Sequence, residues 1–210
     1  MKVYLSSYRV PTPKDLEQLV GKSYADMRVV FVANAKDYYI DRIRDLKINE
    51  TKAYFEALGV QHIDVVDLRM HREVKSLSKK LQGYDLIWVN GGNTFMLRYE
   101  MKRSGFDTVL PGLLKKGAVY GGESAGAVVA GSSLLGVELA DSAEFAEEII
   151  WSGLGLIEKS IIPHADNPNF EAMTQQIVAQ RSADEIVVLK DSEALVIDGS
   201  AVNVVKAELV

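Results

Sequence analysis

Gly122-Glu123-Ser124-Ala125-Gly126 sets a serine between two glycines, after the apolar run Gly117-Ala118-Val119-Tyr120 and before the small residues Ala127 to Ala130. A hydroxyl at the apex of a sharp strand-to-helix turn can attack a carbonyl carbon. The start of the helix then aims backbone N–H groups at the oxyanion that forms. Glycines suit the flanks because a Cβ at either would crowd the turn. A plain tight turn is the competing reading of the same five residues. Serine is a weak nucleophile until a base takes its proton, and the chain has three histidines. His164 ends the apolar run Ile161-Ile162-Pro163 and precedes the polar loop 165–169. The end of a strand is where an α/β sheet carries a base. His62 opens a strand and His71 lies in a polar stretch, so both read as ordinary turn or surface histidines.

Such a pair calls for a carboxylate that orients the imidazole. Sought between Ser124 and His164, the candidates are Glu138, Asp141, Glu144, Glu147 and Glu148. The last three fall in a stretch that reads as a solvated face; Glu138 and Asp141 are not separated by this reasoning. The loop Gly91-Gly92-Asn93-Thr94 lets a backbone N–H approach substrate closely and complete an oxyanion hole with the N–H of Ala125. It reads equally as a turn in which Asn93 or Thr94 caps the next helix. Phosphate binding is the weaker reading, because no Gly-x-Gly-x-x-Gly or Walker lysine occurs. No pair of histidines shares a helix face, so metal binding is weaker still. No metal and no organic cofactor are expected.

These residues need elements to position them. Buried strands are expected over 28–34, 62–68 and 85–90, on the strand leading into Ser124, at 161–162 and over 185–189. Helices are expected over 41–58, 74–81, 94–104 and 107–116, and a C-terminal hairpin over 194–205 turning at Asp198-Gly199-Ser200. Alternating strands and helices imply a mostly parallel sheet covered on both faces, with an antiparallel C-terminal edge. The loops at 90–94 and 122–126 both follow buried strands and open onto the same edge. No repeat, low-complexity segment or linker appears, so residues 1–210 are expected to form a single α/β domain.

The composition fits this reading. At 210 residues, 48% hydrophobic and 25% charged, the chain can bury a continuous core. A formal net charge of -5 argues against a nucleic-acid or anionic-membrane partner. With no cysteine, disulfides, thiol catalysis and thiolate-bound metals are excluded. No apolar leader and no run of membrane-spanning length is present, so a cytoplasmic protein is expected.

Three motifs, in order, resemble the S51 serine peptidases, which include aspartyl dipeptidase (peptidase E) and, more distantly, cyanophycinase. They are Val89-Asn90-Gly91-Gly92-Asn93-Thr94-Phe95-Met96-Leu97, Tyr120 to Ala127, and Gly153-Leu154-Gly155-Leu156 leading to Ile162-Pro163-His164. The resemblance implies a three-layer fold like that of class I glutamine amidotransferases, with Ser124 as nucleophile, His164 as base, and Gly92 and Ala125 as oxyanion donors. It places the acid between Glu138 and Asp141, with Asp141 preferred. Two positions depart from aspartyl dipeptidase. Glu123 stands where tryptophan usually precedes the nucleophile, and no arginine occurs between His164 and Ala179. Strict preference for an N-terminal aspartate is therefore not expected.

The leading expectation is a serine peptidase for short peptides, dipeptidase-like, as a monomer or homodimer. Glu123 and Asn93 are its candidate substrate contacts, with Glu123 gripping a free amino group if it faces the site. The alternatives are an esterase of the α/β-hydrolase type and a non-catalytic binding module on the same fold. The strand and hairpin that follow His164 argue against the first. The retention of Ser124, His164 and Gly92 together argues against the second.

Overall fold

The computed structural model describes residues 1–207. Seven strands form the main sheet: β1 (Lys2–Ser6), β2 (Arg28–Val32), β3 (His62–Val66), β4 (Leu86–Val89), β5 (Val119–Glu123), β8 (Glu193–Asp198) and β9 (Ala201–Lys206). Their order is β3-β2-β4-β5-β1-β8-β9. The first five run parallel, and β8 and β9 add antiparallel to β1. Two further strands, β6 (Ser160–Ile162) and β7 (Ile186–Val188), pair with each other as a small parallel sheet.

Period-two alternation divides the core between the two faces of the main sheet. Val30, Val32, Ile87, Val89, Leu5 and Tyr120 pack to one side with Leu77, Leu97, Met101 and Leu110. Those partners belong to α3 (Val74–Leu81), α4 (Thr94–Ser104) and α5 (Phe106–Lys115). Val29, Phe31, Trp88 and Tyr4 face the other way, against Leu16 and Leu19 of α1 (Pro13–Val20) and Phe55 of α2 (Asp41–Ala57). This is the three-layer, mostly parallel architecture with a C-terminal antiparallel pair that the sequence implies. The hairpin turns where expected, with Gly199 at φ 61°.

The elements expected from the sequence are present with ends shifted by a residue or two, but three others were not read from it. β1 carries only Val3, Tyr4 and Leu5 as apolar residues, too short a run to stand out, yet it is a central strand buried between β5 and β8. α1 and α7 (Glu171–Ala179) are short helices of just over two turns, eight and nine residues. Among the described residues, no helix is long and apolar enough to cross a membrane.

The register sets up the site. Val89 of β4 and Leu5 of β1 both align with Gly122 of β5, and Ser6 aligns with Glu123 and with Ala194 of β8. The residues just beyond β4, β5 and β1, and those just before β8, therefore share one edge.

Candidate active site

Ser124 lies at the end of β5, with φ 50° and ψ −115°, and the short helix α6 (Ala125–Val128) leaves from it. Few non-glycine residues adopt this backbone, and it costs about 1–3 kcal/mol that surrounding structure must offset. Here the turn is held from both sides. The Ser124 N–H donates to the Ser6 carbonyl at 3.0 Å, and the Ser124 carbonyl accepts from the N–H groups of Ala127 and Val128, each at 2.9 Å. A Cβ on Gly122 would run into the Gly126 carbonyl, and one on Gly126 into that of Val89. The glycines of the motif thus allow the turn to pack against itself and against β4.

His164 follows β6, also at positive φ, 63°. Its Nε2 is 2.9 Å from Ser124 Oγ, and its Nδ1 is 2.6 Å from Oδ1 of Asp191. With the proton on Nδ1, the ring donates to the carboxylate and leaves Nε2 to accept the serine O–H. Phe170 stacks on the imidazole at 4.7 Å between ring centres. Asp191 is held in turn: Ser7 Oγ donates to Oδ1 at 2.7 Å and Asn167 Nδ2 to Oδ2 at 2.9 Å. Partial burial pushes the Asp191 carboxyl upward, but hydrogen bonds from Asn167, Ser7 and His164 outweigh it and hold the group below its ordinary value. Ser7 Oγ also accepts the backbone N–H of His164 at 2.7 Å. β6 and β7 continue their pairing beyond the strands, through Leu189 N–H to Ile162 O at 2.9 Å and Ala165 N–H to Leu189 O at 3.1 Å. Histidine and carboxylate therefore ride side by side on one small sheet.

The carboxylate expected at Asp141, or alternatively at Glu138, is not the one on the imidazole. Asp141 Oδ2 instead accepts the N–H of Thr94, the first residue of α4, at 2.8 Å. Burial raises its pKa, countered in part by the Thr94 hydrogen bonds and the nearby His164. Glu138 is exposed and accepts the N–H of Gly136 at 2.8 Å. Asp191 lies beyond His164, outside the 124–164 stretch in which the carboxylate is expected from sequence. The rule that singled out His164, a polar residue just past a buried strand, applies equally to Asp191 after Ile186–Leu189. Ser7 escaped notice because β1 did.

The two expected substrate contacts are also engaged elsewhere. Asn93 is buried, and its Oδ1 caps α4 by accepting the Met96 N–H at 2.9 Å while Nδ2 donates to the Ser142 carbonyl at 2.8 Å. That bond ties the loop carrying Asp141 to the helix. Glu123 is 7% exposed, and its carboxylate accepts the Arg9 N–H at 3.0 Å and Asn90 Nδ2 at 3.3 Å. It borders a separate cavity with Arg9, Lys36 and Tyr54. His62 and His71 lie away from this edge, His62 exposed on β3 and His71 beside Ser76 Oγ at 3.2 Å.

The glycine loop does reach the serine. A Cβ on Gly91 would stand 3.0 Å from Ser124 Cβ and 3.5 Å from its Oγ. Gly92 has φ 145°, and a Cβ there would strike the Ala35 carbonyl, which accepts the Asn93 N–H at 2.7 Å. Lys36 Nζ donates to the Gly91 carbonyl at 2.8 Å, fixing the loop from below. Among the described residues, neither the Gly92 nor the Ala125 N–H donates to a protein acceptor. Ser124 opens on a cavity of about 370 Å³ lined also by Gly92, Ala125, Asp141 and His164. Among the described residues, no cluster of three or more histidines or carboxylates could hold a metal ion.

The fold that brings this serine and histidine together matches that of peptidase E-like structures. A crystal structure from Listeria monocytogenes, provisionally assigned as a peptidase E, superposes with a TM-score of 0.86 at 26% identity, covering 99% of this chain and 98% of the other. A peptidase from an acI-B1 actinobacterium shares the fold at a TM-score of 0.72 and 15% identity, over 98% of this chain and 87% of the other. In sequence, an uncharacterized peptidase of Listeria monocytogenes is 33% identical over 155 residues, 72% of this chain and 74% of its own. Peptidase E of Shewanella amazonensis is 24% identical over 188 residues, 78% of this chain and 73% of its own. The model of peptidase family S51 matches residues 5–205, and the chain belongs to that family.

Proposed function

We propose that the protein is a serine-type peptidase of short peptides, working through Ser124, His164 and Asp191. The observation that carries this reading is the continuous line of hydrogen bonds from Ser124 Oγ through the imidazole to Asp191. His164 Nε2 takes the hydroxyl proton as Oγ attacks the scissile carbonyl carbon. The negative charge on the carbonyl oxygen is stabilised by the N–H groups of Gly92 and Ala125, two donors without a competing acceptor among the described residues. Collapse of the tetrahedral species breaks the C–N bond, and the imidazolium gives its proton to the departing amine. An acyl-Ser124 ester remains; water, deprotonated by the same imidazole, hydrolyses it. Asp191 holds the ring in the required tautomer and stabilises its protonated form. No cofactor enters these steps.

A fluorophosphonate probe tests the reading. The folded wild type should be labelled covalently at Ser124, and Ser124→Ala should not. Labelling elsewhere, or none on folded wild type, would sink it.

A further inference from the structure

We infer that the cavity beside Ser124 selects peptides by a free amino terminus and an apolar first side chain, with Asp141 holding the ammonium group; this rests on the serine-peptidase reading above. The cavity wall is dominated by Val128, Val137, Ile161, Ile162, Met173 and Ile177. Among the described residues, Asp141 is its one acidic residue, and neither lysine nor arginine lines it. A carboxylate accepts at several positions, and among the described residues Asp141 has Thr94 as its hydrogen-bonding partner and no ion pair. A partly buried carboxylate without a countercharge, facing a cavity at the nucleophile, is complementary to a cation brought by the substrate.

Its position says which cation. Asp141 is bound to the N–H of Thr94, two residues from Gly92 in the loop against Ser124, so the charge lies near the reacting carbonyl. In a peptide attacked at its first carbonyl, the α-nitrogen is two bonds from the carbonyl carbon, about 2.5 Å away. The side chain leaves the same Cα toward the remaining wall, where Ile162 and Ile177 form an apolar cluster with Ile186. About 370 Å³ suits one residue of modest size. An acidic first side chain would meet apolar wall and a like charge, with no cation to receive it.

The test is a panel of dipeptides, X-Ala with X = Leu, Met, Asp or Lys, together with N-acetyl-Leu-Ala, on enzyme whose Ser124 labels with fluorophosphonate. Leu-Ala and Met-Ala should exceed Asp-Ala and Lys-Ala in kcat/KM by about 10²-fold or more. Acetylation of Leu-Ala should lower kcat/KM by about 10²-fold. In Asp141→Asn, the loss on Leu-Ala should fall mainly on KM, while the uncharged probe still labels Ser124. Equal turnover of Leu-Ala and its acetyl derivative, a preference for Asp-Ala or Lys-Ala, or no dipeptide cleavage by labelled enzyme would each overturn the inference. Failure of labelling would instead remove the triad reading on which it rests. If Asp141→Asn does not fold, the wild-type panel decides alone.

Discussion

At the residue scale, the strain at Ser124 and the hydrogen bonds around Asp191 make separable predictions. Glycine relieves the positive-φ penalty that any Cβ incurs, whereas alanine keeps it while removing the hydroxyl. Both variants lose the bond to His164, so their difference isolates the backbone. Ser124→Gly should be more stable than Ser124→Ala by about 1 kcal/mol in thermal or urea unfolding; equal stability would mean that the turn stores no strain. For Asp191→Asn, steady-state kinetics should give a fall in kcat on the order of 10²- to 10⁴-fold, because an amide no longer fixes the Nδ1–H tautomer. A comparable fall in Asp141→Asn, with Asp191→Asn near wild type, would reverse the assignment of the two carboxylates. Legibility divides along the same line. Ser124 and His164 stand in local patterns, a glycine-flanked turn and an apolar run, that a reader of sequence can see. Asp191 also follows a visible apolar run, Ile186–Leu189, but only the pairing of β7 on β6 brings it to the imidazole, and Ser7 follows β1, whose apolar run is too short to stand out.

At the element scale, the loop against Ser124 is held by structure one layer below it. The turn Asn34–Lys36 supplies the Ala35 carbonyl to Asn93 and the Lys36 ammonium to Gly91. That turn is itself fixed by Asp67 after β3. Asp67 accepts from Asn34 Nδ2 at 3.0 Å and from Arg69 NH2 at 2.7 Å, while Asn34 Oδ1 accepts the Leu68 N–H at 3.1 Å. Burial acts to raise the Asp67 pKa, but the hydrogen bonds of Arg69 and Asn34 win and bring it to about 2. A depressed folded value means the ionised group favours the native state above its unfolded pKa, and that this contribution is lost as pH falls through the folded value. Wild type should exceed Asp67→Asn in stability by about 1 kcal/mol at neutral pH, the shift being discounted because water screens the partly exposed carboxylate. The gap should close between about pH 4 and pH 2, as read by urea melts of both proteins. A gap that persists below that window would assign the effect to packing. At this scale the sequence was generous. β2 and β4 carry apolar runs of four residues and α3 and α5 a clear helical periodicity, whereas β1, with Val3, Tyr4 and Leu5 alone, does not stand out.

At the scale of the whole molecule, the site straddles two sheets of unequal size. Ser124 follows the central strand of a seven-stranded sheet whose core holds Trp88 and Tyr120, both fully buried. His164 and Asp191 follow a pair of three-residue strands that send Ile161 and the adjoining Leu189 into the main core and Ile162 and Ile186, with Ile177, into a small cluster of their own. Local opening is easiest where few apolar contacts cross. Amides of β6 and β7 should therefore exchange with solvent through lower-energy openings than those of β4 and β5. On heating, activity should disappear before the circular dichroism of the main sheet. Uniform protection, with both signals lost in one transition, would show that the two sheets open as a unit.

The bond from Ser7 to Asp191 joins residues 184 positions apart and spans the two sheets. During synthesis, the nucleophile emerges from the ribosome well before the residue that orients its base. A chain stalled or cut anywhere between Ser124 and Asp191 would carry the serine without the carboxylate that aligns its base. Under the proposed chemistry, unfinished copies are thus inert toward the peptides around them, and hydrolytic capacity arrives only with the late-made segment.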